Sequence, residues 1–388
     1  MGMTNISRRS FFKIASVLTA SRFFTPAPSY SQTPVQEESR AIFDEGLNWT
    51  SKAAAEIVCD RIRRAGFNVF VPCVWHGRGT AWPSSLAPWD HKLAYIPGFD
   101  PLDNLIQTAK GYDIEVHPWF TIARRDRDFL PQYYDKGTPS ESFDVHRESF
   151  REFISKLVLE VIQRYPVAGV NLDYIRTGGL CSGSFCADDY HRHTGRNLLR
   201  DTAQQLLPGG HVAELLAWQE QTVTDIVRRI ATGARKTNKS IVISVDAVPG
   251  HKLDESEGRN SVMWADTGLI DVIYMMHYEP APDWHRLKAL QAKMKRPEAM
   301  VVLCGNYERV GSLNPVTVPR ESSLVSTLIE QGRNFQKGNG IGLYLYSMLS
   351  DEQITHLRNT VFTIAAKPRW LRMGKALPQS SREIQVQH

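Results

Sequence analysis

The feature that most narrows the fold of this chain is an alternation. From Ala41 onward, short runs rich in β-branched and aromatic residues are each followed by a longer amphipathic segment. Strand-like runs fall at Ile42–Asn48, Asn68–Trp75, Ile114–Ile122, Gly169–Ile175, Ser240–Val248, Val272–Tyr278, Met300–Gly305 and Gly340–Met348. Between and after them lie Lys52–Ala65, Leu102–Lys110, Ser149–Arg164, Ala213–Lys236, Trp284–Lys293, Glu321–Phe335 and Asp351–Phe362, whose apolar residues recur at spacings of three and four. Asp100-Pro101 and Ser350-Asp351-Glu352 supply helix starts. A helix between successive strands returns the chain so that the strands run parallel, and eight such strands are what a closed barrel needs. The predicted fold is therefore α/β, a single-domain (β/α)8 TIM barrel over residues 41–366, with a polar tail at 367–388. An open nucleotide-binding sheet would place a glycine-rich turn after its first strand, but Leu47-Asn48-Trp49-Thr50 occupies that turn. Neither a Walker pattern nor a solenoid-length repeat is present.

Composition adds limits. The 388 residues, 42% hydrophobic, suffice for a sizeable core. Ser7-Arg8-Arg9-Ser10-Phe11-Phe12-Lys13, a modest apolar stretch interrupted by Arg22, and a Pro/Ser-rich segment from Thr25 to Thr33 read as a twin-arginine signal peptide over residues 1–32. That predicts the twin-arginine export machinery as a partner and a periplasmic or secreted location. The formal charge is +5, but four of the 46 cationic side chains and no acid lie in the first 31 residues, leaving 42 cations against 41 acids. A near-neutral mature chain lacks the electrostatic footprint of a nucleic-acid binder. No apolar run of about 18 residues follows the signal, so no membrane span is expected.

Cys59, Cys73 and Cys304 lie in predicted helix or strand, where buried thiols are common. Cys181 and Cys186 stand close together in a loop, compatible with a disulfide after export or with two thiols. A zinc site using nearby His191 and His193 is a third alternative.

Barrel chemistry sits at the C-terminal ends of the strands. Strand two ends Trp75-His76-Gly77-Arg78, strand three His117-Pro118-Trp119, and strand four Asn171-Leu172-Asp173-Tyr174-Ile175-Arg176. Strand five ends Ser244-Val245-Asp246, strand six Met276-His277-Tyr278-Glu279, and strand eight carries Tyr344 and Tyr346. The period of two puts Asn171 and Asp173 on one face of strand four and Ser244 with Asp246 on the equivalent face of strand five. Two carboxyls facing one substrate are what glycosidic cleavage requires, one acting as nucleophile or base and the other protonating the leaving oxygen. The catalytic candidates are Asp173, Asp246 and Glu279. Candidates for binding sugar rings and hydroxyls are Trp75, His76, Arg78, Trp82, His117, Trp119, Asn171, Tyr174, Arg176, His277, Tyr278 and Tyr346. Asp173 has a structural alternative as a helix cap or a partner of Arg176, and Asp246 and Glu279 share that ambiguity. Neither a metal nor a cofactor is called for.

Four stretches resemble glycoside hydrolase-like family 10, with a more distant similarity to the hydrolase domains of exopolysaccharide-processing proteins. They are Asn68–Arg78 with Ser84-Ser85-Leu86-Ala87-Pro88-Trp89; Phe99-Asp100-Pro101-Leu102 through Glu115-Val116-His117-Pro118-Trp119-Phe120; Val167–Arg176; and Ile270–Tyr278. Leu172-Asp173-Tyr174-Ile175-Arg176 is the most specific element. The resemblance implies a (β/α)8 barrel acting on polysaccharide, with Asp173 in the position of the family's proposed catalytic acid. Ala168 and Asn171 stand where the family often has Asp and His, and the Cys181–Cys186 insertion follows the strand directly. The expected function is paired-carboxylate hydrolysis of a polysaccharide or oligosaccharide. The alternatives are a polysaccharide-binding protein on the same scaffold and a metal-dependent hydrolase, for which the scattered histidines supply no cluster.

Overall fold

The computed structural model describes residues 36–249, 256–335 and 340–371; the predicted signal peptide and most of the predicted tail lie outside them. Eight parallel strand positions close on themselves. In chain order they are β1 (Arg40–Asp44), β2 (Val69–Trp75), β3 (Glu115–Val116 and Trp119–Thr121), β4 (Gly169–Asp173), β5 (Val242–Ala247), β6 (Val272–His277), β7 (Met300–Gly305) and β8 (Ile341–Tyr344). Each pairs with its sequence neighbours, and β8 returns to β1 through Leu343 opposite Ile42, so no strand edge is left open. The (β/α)8 barrel expected from the alternation is the fold.

Both faces of every strand are covered, which is why the strands read as continuous apolar runs. Ala41, Phe43, Val69, Val71, Val242, Val272, Tyr274, Val301 and Leu303 fill the barrel interior. The alternate residues Ile42, Phe70, Val170, Leu172, Ile243, Val245, Ile273 and Val302 pack outward with the helices. The helices are α1 (Lys52–Ala65), α2 (Pro101–Gly111), α3 (Glu148–Arg164), α4 (Ser184–Thr194), α5 (Leu198–Gln205), α6 (Ala213–Thr237), α7 (Ser261–Asp266), α8 (Trp284–Gln291), α9 (Ser322–Phe335) and α10 (Asp351–Asn359). Asp100 caps α2, accepting from the backbone N–H of Leu102 and Asp103 at 3.1 Å, and Pro101 takes the first position, where no amide hydrogen is needed.

Three features depart from the sequence expectation. β3 is two short pieces split at His117-Pro118, because proline brings no N–H to the ladder. Helices α4 and α5 occupy what read as a loop after β4 and have their own small core of Cys181, Cys186, Tyr190, Leu198, Val212, Leu215 and Trp218. A hairpin, Tyr307–Val310 with Val316–Pro319, follows β7.

The N-terminal end of the barrel is plugged, which leaves the opposite end for a site. Residues 367–371, assigned to the tail from sequence, pack under the barrel. The Trp370 indole N–H donates to Glu115 (2.9 Å), and its ring lies 5.1 Å from that of His117. His117 in turn explains Gly169, where a Cβ would stand 2.5 Å from the imidazole Nδ1. Arg40 ties the same end together: buried, it donates to Glu38 at 2.6 Å and to the Ile364 carbonyl at 2.9 Å, with its guanidinium 4.4 Å from the Phe362 ring centre. Arg333 is a second partner of Glu38, at 2.6 Å. Arg40→Met is expected to lower the unfolding free energy by about 3 kcal/mol, the low end for breaking a buried pair, because Arg333 still holds Glu38. A guanidinium chloride titration showing an unchanged midpoint would contradict this role.

Candidate active site

At the C-terminal end of the strands lies a cleft of about 630 Å³. Its floor is set by strand register. Asn171 of β4 lies opposite Ser244 of β5 and Leu172 opposite Val245, so Asp173 and Asp246 come level on neighbouring strands. Both carboxyls line the cleft, and both are nearly sealed from bulk solvent, 7% and 2% exposed. Asn171 lies one pleat below and donates through Nδ2 to Asp246 (3.0 Å) and to the Ser244 hydroxyl (3.1 Å). Asp173 accepts from the Tyr174 backbone N–H at 2.6 Å.

Burial pushes the Asp173 carboxyl above the usual range, partly offset by the Tyr174 N–H and the guanidiniums of Arg259 and Arg176. Asp246 is pushed well above that range, first by burial and then by the negative charge of Asp173. Ionising one carboxyl therefore disfavours ionising the other, and their titration belongs to the pair. Arg259, buried, donates to the Asp246 carbonyl at 3.2 Å. The buried Trp119 indole N–H faces Asp173 without completing a hydrogen bond.

The walls are aromatic. Phe43, Trp119, Tyr278 and Tyr344 line the cleft, with Tyr278 and Tyr344 stacked at 4.7 Å between ring centres. The Tyr344 hydroxyl donates to Glu45 at 2.6 Å, placing a further carboxylate on the rim just beyond β1. Asp44 fixes that corner by accepting from Asn48 (3.0 Å) and the Gly46 N–H (3.1 Å), and burial raises its carboxyl to about 6. On the opposite rim, Tyr174 has a left-handed backbone (φ 47°), and the guanidiniums of Arg124 (5.3 Å) and Arg176 (5.2 Å) both approach its ring. Gly77 lets the rim close, since its φ is +71° and a Cβ there would collide with the Arg124 carbonyl. Arg78 lines the cleft while paired to buried Asp90 at 3.0 Å, and His76 is held by the Glu45 carbonyl at 2.7 Å.

Of the candidates drawn from sequence, Asp173, Asp246, His76, Arg78, Trp119, Tyr174, Arg176 and Tyr278 line the cleft, and Asn171 supports the acids from beneath. Six do not. A register shift between Cys73 and Trp75 turns Trp75 out of the barrel, against Phe129 and Phe153. Trp82 is core, edge-on to Phe120 and bonded to Glu160 on α3 at 3.0 Å. His117 belongs to the plugged end. His277 falls on the outward parity of β6, and Glu279 lies exposed beyond it, outside the cleft. Tyr346 begins a 3-10 turn and packs against Phe70, so Tyr344 takes the place expected of it. Sequence reasoning missed Glu45, which the parity of Phe43 would have found. It also missed Arg259, which no local pattern marks. His191 bonds the Arg196 carbonyl just past α4 and His193 the Asp189 carbonyl within it, neither of them at the disulfide between Cys181 and Cys186.

Comparison with known families is decisive about kinship: the model of the family described as "Glycosyl hydrolase-like 10" matches residues 44–315. The chain belongs to this family. Among relatives of this glycosyl hydrolase-like 10 chain, glycosyl hydrolase DigH of Escherichia coli (strain K12) is 22% identical over 263 residues, 57% of this chain and 56% of that protein. Glycosyl hydrolase YngK of Bacillus subtilis (strain 168) is 21% identical over 207 residues, 43% and 39% of the two chains. The chain thus spans about half the length, or less, of these relatives. Similar solved structures include the glycoside hydrolase domain of PgaB (BpsB) from Bordetella bronchiseptica, with TM-score 0.58, 11% identity, and coverage of 86% of this chain and 99% of that one. The catalytic domain of β-amylase from Paenibacillus polymyxa has TM-score 0.56, 9% identity, and coverage of 86% and 100%. These likenesses are of fold.

The acid pair gives a pH signature. A carboxyl held above its unfolded value contributes no penalty while protonated, and it costs stability as pH rises from the ordinary carboxylate range through the raised value. Asp246→Asn has no such proton to lose. Its thermal midpoint relative to wild type is expected to rise as pH increases above about 4, the ordinary carboxylate value. A difference independent of pH would mean that Asp246 carries no raised titration.

Proposed function

We propose that this member of the glycosyl hydrolase-like 10 family hydrolyses glycosidic bonds of a polysaccharide or oligosaccharide at the Asp173 cleft. The observation that carries the reading is the pair Asp173 and Asp246, buried together at the floor of a cleft walled by Trp119, Tyr278 and Tyr344. Aromatic faces cover the apolar C–H faces of sugar rings, while Arg78, Arg124 and Arg176 offer donors to hydroxyls. The names of DigH, YngK and the PgaB domain, each called a glycosyl or glycoside hydrolase, support the same class.

Neighbouring parallel strands lie about 4.8 Å apart, so two carboxyls at one level approach a substrate from one side. The proton donor is Asp173, whose carboxyl burial holds above the ordinary range, with Asp246 level beside it on β5. The second carboxylate is Glu45. β1 lies four strands from β5 in either direction around the barrel, so Glu45 faces the acid pair across the cleft, oriented by the Tyr344 hydroxyl. It serves as nucleophile or as the base that activates water. The twin-arginine reading of residues 1–32 places this activity in the periplasm or outside the cell.

The test is release of reducing ends from a panel of bacterial and plant glycans. Asp173→Asn is expected to lower kcat by about 10²–10⁴-fold while leaving glycan binding in place. Binding without turnover by the wild type on every glycan that binds would instead make the protein a polysaccharide-binding module.

A further inference from the structure

Away from the cleft, where the insertion after β4 meets the start of α3, three potential metal-ligand side chains converge. Asp144, His146 and Cys186 each present a ligand atom within 4.8 Å of the others, and all three are buried. Cys181, five residues before Cys186, is the fourth member through the disulfide. We propose that when this disulfide is reduced, Asp144, His146, Cys181 and Cys186 form a tetrahedral zinc site.

The distances support this more than residue type alone. Zinc bonds of about 2.3 Å to sulfur and 2.0–2.1 Å to nitrogen or oxygen give tetrahedral edges of roughly 3.5 Å from sulfur to nitrogen or oxygen, and about 3.3 Å from nitrogen to oxygen. Cys186 Sγ lies 3.6 Å from His146 Nδ1 and 3.5 Å from Asp144 Oδ1, and those two atoms are 3.2 Å apart. Three ligands thus already occupy one face of a zinc tetrahedron. Only Cys181 must swing away from its partner, to an edge of about 3.8 Å. The C-x4-C spacing of Cys181 and Cys186 falls within the range that zinc sites use.

The surroundings fix the ligands as an outer shell does. The His146 ring stacks on Trp218 at 3.7 Å with planes 10° apart, which sets its orientation. Arg147 donates to Asp144 Oδ2 at 3.1 Å and to Asp135 at 2.8 Å, so Oδ1 faces the cluster. Two thiolates and a carboxylate on Zn²⁺ leave one negative charge, opposite in sign to the adjacent guanidinium. The balance of the switch is simple. A dithiol gives two electrons and two protons to the Cys181–Cys186 bond and itself closes to a disulfide; Zn²⁺ then displaces both protons from the new thiols.

The experiment is a Zn²⁺ titration of the full chain, oxidised and phosphine-reduced, with metal content measured per chain and folding checked by circular dichroism. The reduced protein is expected to bind one zinc that the oxidised protein does not. His146→Gln and Asp144→Asn, which preserve side-chain size and leave the cysteines in place, should each weaken binding by at least about 100-fold. With Co²⁺ as probe, the reduced wild type should show a thiolate charge-transfer band that Cys181→Ser diminishes. Folded, reduced wild type that takes up no zinc would overturn the proposal. So would His146→Gln and Asp144→Asn proteins that bind zinc as tightly as wild type. Neither result depends on glycan hydrolysis, so the zinc site and the cleft are judged separately.

Discussion

Two carboxyl groups at one level on adjacent strands cannot both ionise in a buried cup without a large electrostatic penalty, and much of the cleft is arranged around that constraint. The β4–β5 register forces Asp173 and Asp246 together, and the apolar wall formed by Phe43, Trp119 and Tyr278 denies them water. Asn171 gives Asp246 an amide donor, while Arg259 and Arg176 bring positive charge toward Asp173. Were Asn171 apolar, Asp246 would lose its amide donor in a site with little water to replace it. A histidine at this position would present a titrating group instead, so the asparagine makes the support of the pair independent of pH.

The barrel itself was legible because its signal is redundant. Lys52–Ala65 and Met300–Gly305 coincide with the observed helix and strand, since each is bounded by residues that end the element sharply. The site was legible only where strand parity holds. It holds at Asp173 and Asp246 in mid-barrel. It fails at Trp75 because a register shift intervenes, and at Tyr346 because the strand has already given way to a turn. Arg259 arrives from a loop 13 residues beyond Asp246, and such loop paths follow from tertiary packing that no period encodes. The histidine beside Cys186 is His146, 40 residues earlier, and not the sequence-adjacent His191 or His193.

The insertion after β4 is more than a decorated loop. Its small core around Trp218 and Tyr190 is bound to the barrel through Thr177, whose hydroxyl donates to Gln219 on α6 at 2.9 Å. Thr177 immediately follows Arg176 on the cleft rim. The chemistry of Cys181 and Cys186 therefore lies at the base of the segment that presents a guanidinium to the cleft, and a loosened insertion would reach the rim through only a few residues.

The left-handed backbone at Tyr174 carries a final consequence. A non-glycine residue in that region costs on the order of 1–3 kcal/mol, and a glycine there would remove the cost. It would also remove the ring that both Arg124 and Arg176 approach, taking a cation–π partner from each. Drift toward greater thermal robustness and preservation of the binding rim thus pull on this one position in opposite directions, and the tyrosine marks which of them has prevailed.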